Sequence, residues 1–133
     1  MYKTIIVPRV SETDAIGHIN NTTLPVWFEA SRHDIFALFS PDHDFQTWKL
    51  IIVKTTLDFL NQIYFGKDVE IHTYVKKIGH TSLTLYEELY QSGKHCATNE
   101  VVYVNFNLST QKTEPIPENI RVALQEHVYA SAY

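Results

Sequence analysis

The sequence contains little cysteine, little positive charge and no long apolar run, and each shortage excludes a class of protein. Cys96 is the only cysteine among 133 residues, which excludes an intrachain disulfide and favours a reducing compartment such as the cytoplasm. The longest apolar run covers residues 35–39, far short of the roughly 20 residues that cross a bilayer. Residues 1–10 lack the apolar region of a signal peptide. We therefore expect a cytoplasmic protein without a disulfide scaffold or a membrane span.

The charge balance makes nucleic acid an improbable partner. The chain has 11 Lys and Arg against 15 Asp and Glu, a formal net charge of −4, and its longest basic run is Lys76-Lys77. Hydrophobic residues make up 44% of the sequence and charged residues 20%, which is ordinary for a globular protein. No repeat or flexible linker divides the chain, so residues 1–133 are expected to form one domain.

A helical period follows the first quarter of the chain. Pro25 is tolerated in a first helical turn, and Asn20 or Asn21 is a suitable N-cap. The pattern predicts one long helix over residues 22–39. Large apolar side chains recur at 3.6-residue spacing on one face of it: Leu24, Trp27, Phe28, Ile35, Leu38 and Phe39.

After Trp48 the apolar period falls to two, which predicts antiparallel strands joined as a meander. Glu87 is the one charged residue on an otherwise apolar strand face. Glycines at positions 66, 79 and 93 separate the segments. The strands are predicted at residues 3–10, 51–59, 69–76, 83–90 and 102–106.

These elements predict an α+β fold in which an antiparallel sheet wraps around one long central helix. A short C-terminal helix is predicted from Pro117, with Ile120, Leu124 and Val128 on one side. The other sheet face and the sheet edges retain apolar and aromatic residues, so pairing with a second copy is expected. These residues are Ile52, Tyr86, Tyr90 and Tyr103.

The densest polar cluster is the segment 11–21, S-E-T-D-A-I-G-H-I-N-N, which precedes the predicted helix. A helix start presents free N–H groups that can stabilise a carbonyl oxygen as it becomes negative. Asp14 lies just upstream, and Gly17 can adopt the positive φ that folds the loop back over the helix entrance. The cluster therefore indicates a carboxylate facing an electrophilic carbonyl.

A purely structural loop explains the same residues. Asp14 could form an Asx-turn, Gly17 the bend and Asn21 the cap, and an isolated loop histidine such as His18 is often a packing or hydrogen-bonding residue. A metal site from Glu12, Asp14 and His18 lacks a convincing third ligand, so no metal is expected. Cys96 lies in a predicted strand without a charge cluster and is interpreted as a packing residue.

The segment 12–32, E-T-D-A-I-G-H-I-N-N-T-T-L-P-V-W-F-E-A-S-R, resembles the signature of 4-hydroxybenzoyl-CoA thioesterase-like hotdog proteins. That signature commonly reads D-x-D-A-x-G-H-V-N-N before a helix with an aromatic-Glu pair. The segments 57–67, 78–89 and 101–107 are similar to the later strands of the family. The chain departs from the family at Glu12, which replaces Asp, at Leu24, where Tyr is common, and at Lys67, which replaces an Asp after Gly66.

The resemblance implies a hotdog fold, a homodimer or homotetramer with sites at its interface, and hydrolysis of acyl-CoA thioesters. It assigns Asp14 as the catalytic aspartate, with His18 as a second catalytic residue and Asn20 as a substrate contact on the same loop, and the backbone N–H around Asn21 as the oxyanion donor. A thiolate leaves readily, so one carboxylate and one N–H can suffice and no cofactor is expected. The carboxylate could attack the carbonyl or activate water.

The substrate contacts are less closely determined by the sequence. Two alternatives stay open: the thioester donor could be acyl carrier protein, or the protein could bind acyl-CoA without catalysis. A hotdog hydratase is disfavoured, because the pattern of those enzymes is D-x-x-x-x-H and this chain lacks that spacing. Candidate walls of the acyl pocket are Leu24, Trp27, Phe28 and Phe59. Candidate contacts to CoA are Lys76, Lys77, His80 and Thr81.

Overall fold

The computed structural model describes residues 1–129. It contains three short 3-10 turns, at Val10–Glu12, Asn21–Thr23 and Phe45–Thr47. The strands are β1 (Tyr2–Ile6), β2 (Leu50–Phe59), β3 (Val69–Ile78), β4 (Ser82–Gln91), β5 (Lys94–Asn107) and β6 (Lys112–Thr113). The helices are α1 (Leu24–Ala30), α2 (His33–Phe39) and α3 (Glu118–Gln125).

The strands form one six-stranded antiparallel sheet in the order β1-β3-β4-β5-β2, with β6 paired to the end of β5. The meander predicted from the alternating pattern is confirmed for β3, β4 and β5. It is wrong for β2, which pairs with β5 and not with its sequence neighbour β3. The segment 60–68 connects β2 with β3, and its Ile63 is buried in the core and accepts a backbone hydrogen bond from Ile19 (2.8 Å).

The single helix predicted over residues 22–39 is divided into α1 and α2. Ser31 and Arg32 interrupt it: the Ser31 hydroxyl lies 2.5 Å from the Phe28 carbonyl oxygen, and the Arg32 N–H donates to the Glu29 carbonyl (3.1 Å), a tighter turn than an α-helix makes. Both side chains are 3% exposed and reach the sheet. The apolar residues on either side of Ser31 and Arg32 keep the same helical spacing, so the apolar pattern of the sequence does not reveal the break.

The side chains at this break belong to a central polar layer, which we define as Ser31, Arg32, Thr73, Glu87, Asn99 and Tyr103. Glu87 is fully buried and pairs in register with Thr73 of β3 and Asn99 of β5. Its Oε1 accepts from Arg32 Nη2 (2.7 Å) and Nε (3.0 Å) and from Asn99 Nδ2 (3.1 Å). Its Oε2 accepts from the hydroxyls of Ser31 (2.7 Å) and Thr73 (2.9 Å).

The polar layer separates two apolar clusters beneath the two helices. Leu24, Trp27 and Phe28 of α1 pack with Val69, Ile71 and Leu89. Ile35 and Phe39 of α2 pack with Val75, Leu85 and Val101. The curled sheet thus covers a pair of short helices, and the single long helix of the sequence-based prediction is corrected.

The C-terminal helix α3 confirms the helix predicted from Pro117, with Ile120 and Leu124 buried against the sheet. Val128 lies beyond the helix and not on it. It forms a parallel bridge with Val75, whose N–H donates to His127 (2.9 Å) and whose carbonyl accepts from Tyr129 (2.7 Å). Backbone pairing with β3 thus replaces the predicted helical position.

Strand β2 is an edge strand, and most of its residues are exposed. Ile52 lies on this edge as predicted and is 48% exposed. Tyr103 was expected on the outer face or an edge and is instead 3% exposed, with its hydroxyl accepting from Arg32 Nη1 (2.8 Å). Within residues 1–129, no helix has the length and apolar character needed to cross a bilayer.

Candidate active site

The loop before α1 folds back on itself. The Asp14 N–H donates to the His18 carbonyl (2.8 Å), and Thr13 and Ile19 form an antiparallel bridge. Gly17 closes the turn with φ = +82°, as the sequence predicts, and its carbonyl accepts from the Phe65 N–H (3.3 Å). The loop is therefore held by its own backbone and by the segment that connects β2 with β3.

The Asp14 carboxylate is exposed, and within residues 1–129 only one of its two oxygens accepts hydrogen bonds. Its Oδ1 accepts from the N–H groups of Ile16 (2.9 Å) and His18 (3.1 Å), so the Asx-turn of the structural interpretation is present. Within residues 1–129, Oδ2 accepts no hydrogen bond and the carboxylate has no cationic partner. The turn orients the carboxylate and leaves one oxygen available for a substrate.

The entrance to the helical segment is capped by Asn20. Its Oδ1 accepts from the Thr22 N–H (3.0 Å) and hydroxyl (2.9 Å), and its carbonyl accepts from the Thr23 N–H (2.9 Å). In the described part of the chain, the Asn21 N–H has no acceptor. Asn20 is therefore a structural cap, and the free N–H at the helix entrance belongs to Asn21.

Glu12 anchors the loop to α1, a role that the sequence analysis missed. The buried carboxylate accepts from Arg9 N–H (2.7 Å), Arg9 Nη2 (3.0 Å) and the Trp27 indole (2.8 Å). Its backbone carbonyl accepts from the Asn20 N–H (2.8 Å). The Arg9 guanidinium, with the Trp27 indole and the Arg9 N–H, lowers the pKa of Glu12 to about 2 against the opposing effect of burial. The only sequence signal is its spacing two residues before Asp14.

The His18 side chain is held by contact with an aromatic ring. Its ring meets the Tyr64 ring edge-on at a centroid distance of 5.0 Å. The His18 backbone forms the loop contacts to Asp14, as described above. A catalytic role for His18 stays a prediction.

The apolar residues expected to line an acyl pocket lie in two different places. Leu24, Trp27 and Phe28 are 1%, 3% and 0% exposed and form part of the core beneath α1. Phe59 is 51% exposed at the end of β2. The structure therefore does not bring the four together on one surface of the protomer, and their contact with substrate stays a prediction.

The residues expected to contact CoA lie at the opposite end of the sheet from the Asp14 loop. Lys76 forms an ion pair with Glu100, and Lys77 follows the irregularity in the pairing of β3 with β4. The carbonyls of His80 and Thr81 accept from Ile116 (2.9 Å) and Asn105 (2.8 Å). Their contact with CoA therefore stays a prediction.

Other reactive groups give no alternative site. Cys96 is 2% exposed, and burial raises the pKa of its thiol, which fits the packing role expected from the sequence. Among residues 1–129, no three His, Cys, Asp or Glu side chains are arranged to hold a metal ion.

Comparisons with known proteins identify the family of the chain. The family model of the thioesterase-like superfamily matches residues 8–124. The protein YsmA of Bacillus subtilis (strain 168) is 30% identical over 107 residues, which cover 78% of this chain and 71% of YsmA.

Solved structures share the whole fold. A predicted thioesterase from Bacillus stearothermophilus is 55% identical with a TM-score of 0.94, and the match covers 98% of each chain. The protein SAV2348 from Staphylococcus aureus, solved in complex with CoA, has a TM-score of 0.87 at 14% identity, covering 99% of this chain and 88% of that one, and shows the fold alone. The chain therefore belongs to the thioesterase-like superfamily, as a thioester hydrolase on a hotdog fold.

Proposed function

We propose that this protein is an acyl-CoA thioesterase that releases a free acid and CoA. The observation that carries the proposal is the Asp14 carboxylate, fixed through Oδ1 by two backbone N–H groups, whereas Oδ2 accepts no hydrogen bond from any residue between 1 and 129. The family match supports a thioester as the substrate. CoA as the thiol is supported by the Staphylococcus aureus protein of the same fold, which was solved with CoA.

The mechanism assigns one role to each end of this loop. Asp14 Oδ2 either attacks the thioester carbon, forming a mixed anhydride that water then hydrolyses, or removes a proton from the attacking water. The Asn21 N–H donates to the carbonyl oxygen as negative charge develops on it. The sulfur departs as a thiolate, which is stable enough to leave without a strong general acid.

A second copy of the chain completes the site in this proposal. Strand β2 is a sheet edge with exposed apolar side chains: Ile51 is 37%, Ile52 48% and Val53 59% exposed. Antiparallel pairing of two β2 strands places the Phe59 end of one beside the Leu50 end of the other. Because Leu50 pairs with Asn105, which contacts Thr81, this arrangement moves the partner's 79–81 turn towards the Asp14 loop.

Assembly through β2 is tested by a charge on this edge. Ile52→Lys should shift the sedimentation coefficient from dimer or tetramer to monomer and should lower turnover with it, because lysine on an edge disfavours strand pairing. Val122→Lys is the matched control, since Val122 is 52% exposed on α3. An Ile52→Lys variant that keeps the wild-type mass would contradict assembly through β2.

The reaction is tested by measuring thiol release from a panel of aromatic, short-chain and long-chain acyl-CoA substrates. Parallel assays present the same acyl groups on acyl carrier protein. Turnover with CoA thioesters above that with carrier-protein thioesters is the expected result. Faster turnover with the carrier protein would reassign the thiol, and tight acyl-CoA binding without any thiol release would make the protein a binding module instead.

A further inference from the structure

A cavity lies beside the Asp14 loop. It has a volume of about 430 Å³ and is formed between the segment 61–67 and the turn from β4 to β5. Tyr64, Lys67 and Lys94 line its sides, and the buried residues Gln91 and Cys96 also contribute.

The cavity is positively charged although the whole chain carries a formal charge of −4. Lysine ion pairs in residues 1–129 involve Lys3, Lys49 and Lys76, so Lys67 and Lys94 have no carboxylate partner there. Among the described residues, no carboxylate lines the cavity. Lys67 also stands where the family resembled by the sequence commonly has Asp, so the sign of the charge is reversed at this position.

The wall that carries Lys67 is fixed by hydrogen bonds. Gln91 is 5% exposed, and its amide nitrogen donates to the carbonyls of Tyr64 (2.8 Å) and Lys67 (3.0 Å). Its amide oxygen accepts from the Tyr64 N–H (2.9 Å). The Lys67 backbone is therefore held in place before any ligand binds, which reduces the entropy that binding must offset.

The same wall contacts the candidate active loop. The Tyr64 ring packs against the His18 ring, and the neighbouring Phe65 N–H donates to the Gly17 carbonyl. A molecule whose thioester lies at Asp14 therefore has this cavity next to it. The cavity and the loop share a wall and can bind two parts of one substrate.

We propose that the cavity between residues 61–67 and the β4–β5 turn binds an anionic group of the thioester substrate, with Lys67 and Lys94 as its counter-charges. This inference rests on the proposed thioesterase function. Phosphate and carboxylate both accept charge-assisted hydrogen bonds from lysine ammonium groups. The anion is either a phosphate of the thiol carrier or a carboxylate at the far end of the acyl group.

The test replaces both lysines, as Lys67→Gln with Lys94→Gln, and measures KM and kcat. Lys112→Gln is the control for the loss of one positive charge and is compared with each single lysine variant, because Lys112 is exposed and pairs with Asn107 at the other end of β5. The double variant should raise KM for the anionic substrate by about tenfold, equivalent to roughly 1.4 kcal/mol, with kcat little changed. The effect should weaken in high salt.

Four substrates identify the source of the anion. They are butyryl and glutaryl groups, each carried on CoA or on pantetheine, which has no phosphate. If the site binds phosphate, the double variant should raise KM for both CoA thioesters and leave KM for butyryl-pantetheine unchanged. If the site binds carboxylate, the double variant should raise KM for both glutaryl thioesters and leave KM for butyryl-CoA unchanged. An equal rise in KM for all four substrates, or a change in KM below about twofold for every substrate, would overturn the proposal.

Binding of CoA and of glutaryl-CoA, measured by calorimetry, separates this inference from the proposed reaction. If thiol release fails but the double variant weakens the binding of either molecule, the anion site stands and the hydrolase proposal fails. If wild-type turnover is normal and the lysine variants bind and turn over like Lys112→Gln, the hydrolase proposal stands and the anion site fails.

Discussion

The central polar layer and the loop before α1 hold their carboxylates in opposite ways. Glu87 is fully buried, and both of its oxygens accept several hydrogen bonds from side chains of the layer. Asp14 is exposed and uses only Oδ1, for backbone donors of its own turn. A carboxylate surrounded by fixed donors is suited to stability, whereas one with a free oxygen is suited to chemistry.

This contrast predicts the largest stability effect at Glu87. Glu87→Gln leaves the Arg32 guanidinium buried without its counter-charge and should lower the free energy of unfolding by about 3–5 kcal/mol. Urea denaturation measures it. Glu88→Gln, one residue along the strand on the other face, is the matched control and should cost about 1 kcal/mol or less. Equal losses in the two variants would show that the layer is not a special source of stability.

Removing both charges of the layer should be less harmful than removing one. Arg32→Met combined with Glu87→Leu replaces the ion pair with apolar side chains of similar size. The double variant should be more stable than Glu87→Gln, with a coupling energy of about 1–3 kcal/mol in a double-mutant cycle. Strict additivity of the two single substitutions would contradict a direct interaction between Arg32 and Glu87.

Glu12 connects the two regions, because it joins the Asp14 loop to α1. Its pKa is lowered from an ordinary value near 4.5 to about 2, mainly by the Arg9 guanidinium. The stability that it supplies is therefore present above about pH 4.5 and is lost as the pH falls towards 2. Glu12→Gln should have a lower urea midpoint at neutral pH and a shallower loss on acidification.

The control for this pH dependence is Glu118→Gln, whose carboxylate side chain is 81% exposed. Its urea midpoint should fall on acidification as steeply as that of the wild type. If Glu12→Gln and Glu118→Gln show the same pH profile, Glu12 does not anchor the loop in the way the contacts indicate.

The smallest effect is expected at the cap of the helical segment. Asn20→Ala removes the acceptor for the Thr22 N–H and hydroxyl and should cost about 1 kcal/mol. Because the cap does not touch Asp14, the value of KM should change little. Thermal denaturation and steady-state kinetics on the same preparation provide both numbers, and a kinetic loss without a stability loss would assign Asn20 to the site.

The sequence predicted much of the fold because alternating apolar residues indicate strands from the local sequence alone. It did not predict the division of the helix, since the break depends on hydrogen bonds between Ser31, Arg32 and a strand far along the chain. Glu87 on an apolar strand face was the available signal for a buried partner. Recognising Arg32 as that partner required the three-dimensional pairing.

The loop was predictable from its polar density, whereas the surroundings of the loop were not. An apolar helix face can pack into a core or line a pocket, so Leu24, Trp27 and Phe28 carried no signal for their burial beneath α1. Glu12 and Lys67 lie within segments that resemble the family, but the apolar period does not reveal their contacts with Arg9, Trp27 and Gln91.

The most direct measurement is thiol release by Asp14→Asn beside the wild type, with Tm recorded for both. Asparagine keeps an Oδ1 for the Ile16 and His18 N–H groups, so the turn and Tm should be preserved. Turnover should fall by about 10²-fold or more because the free carboxylate oxygen is lost. Wild-type turnover in the folded Asp14→Asn protein would contradict the central claim.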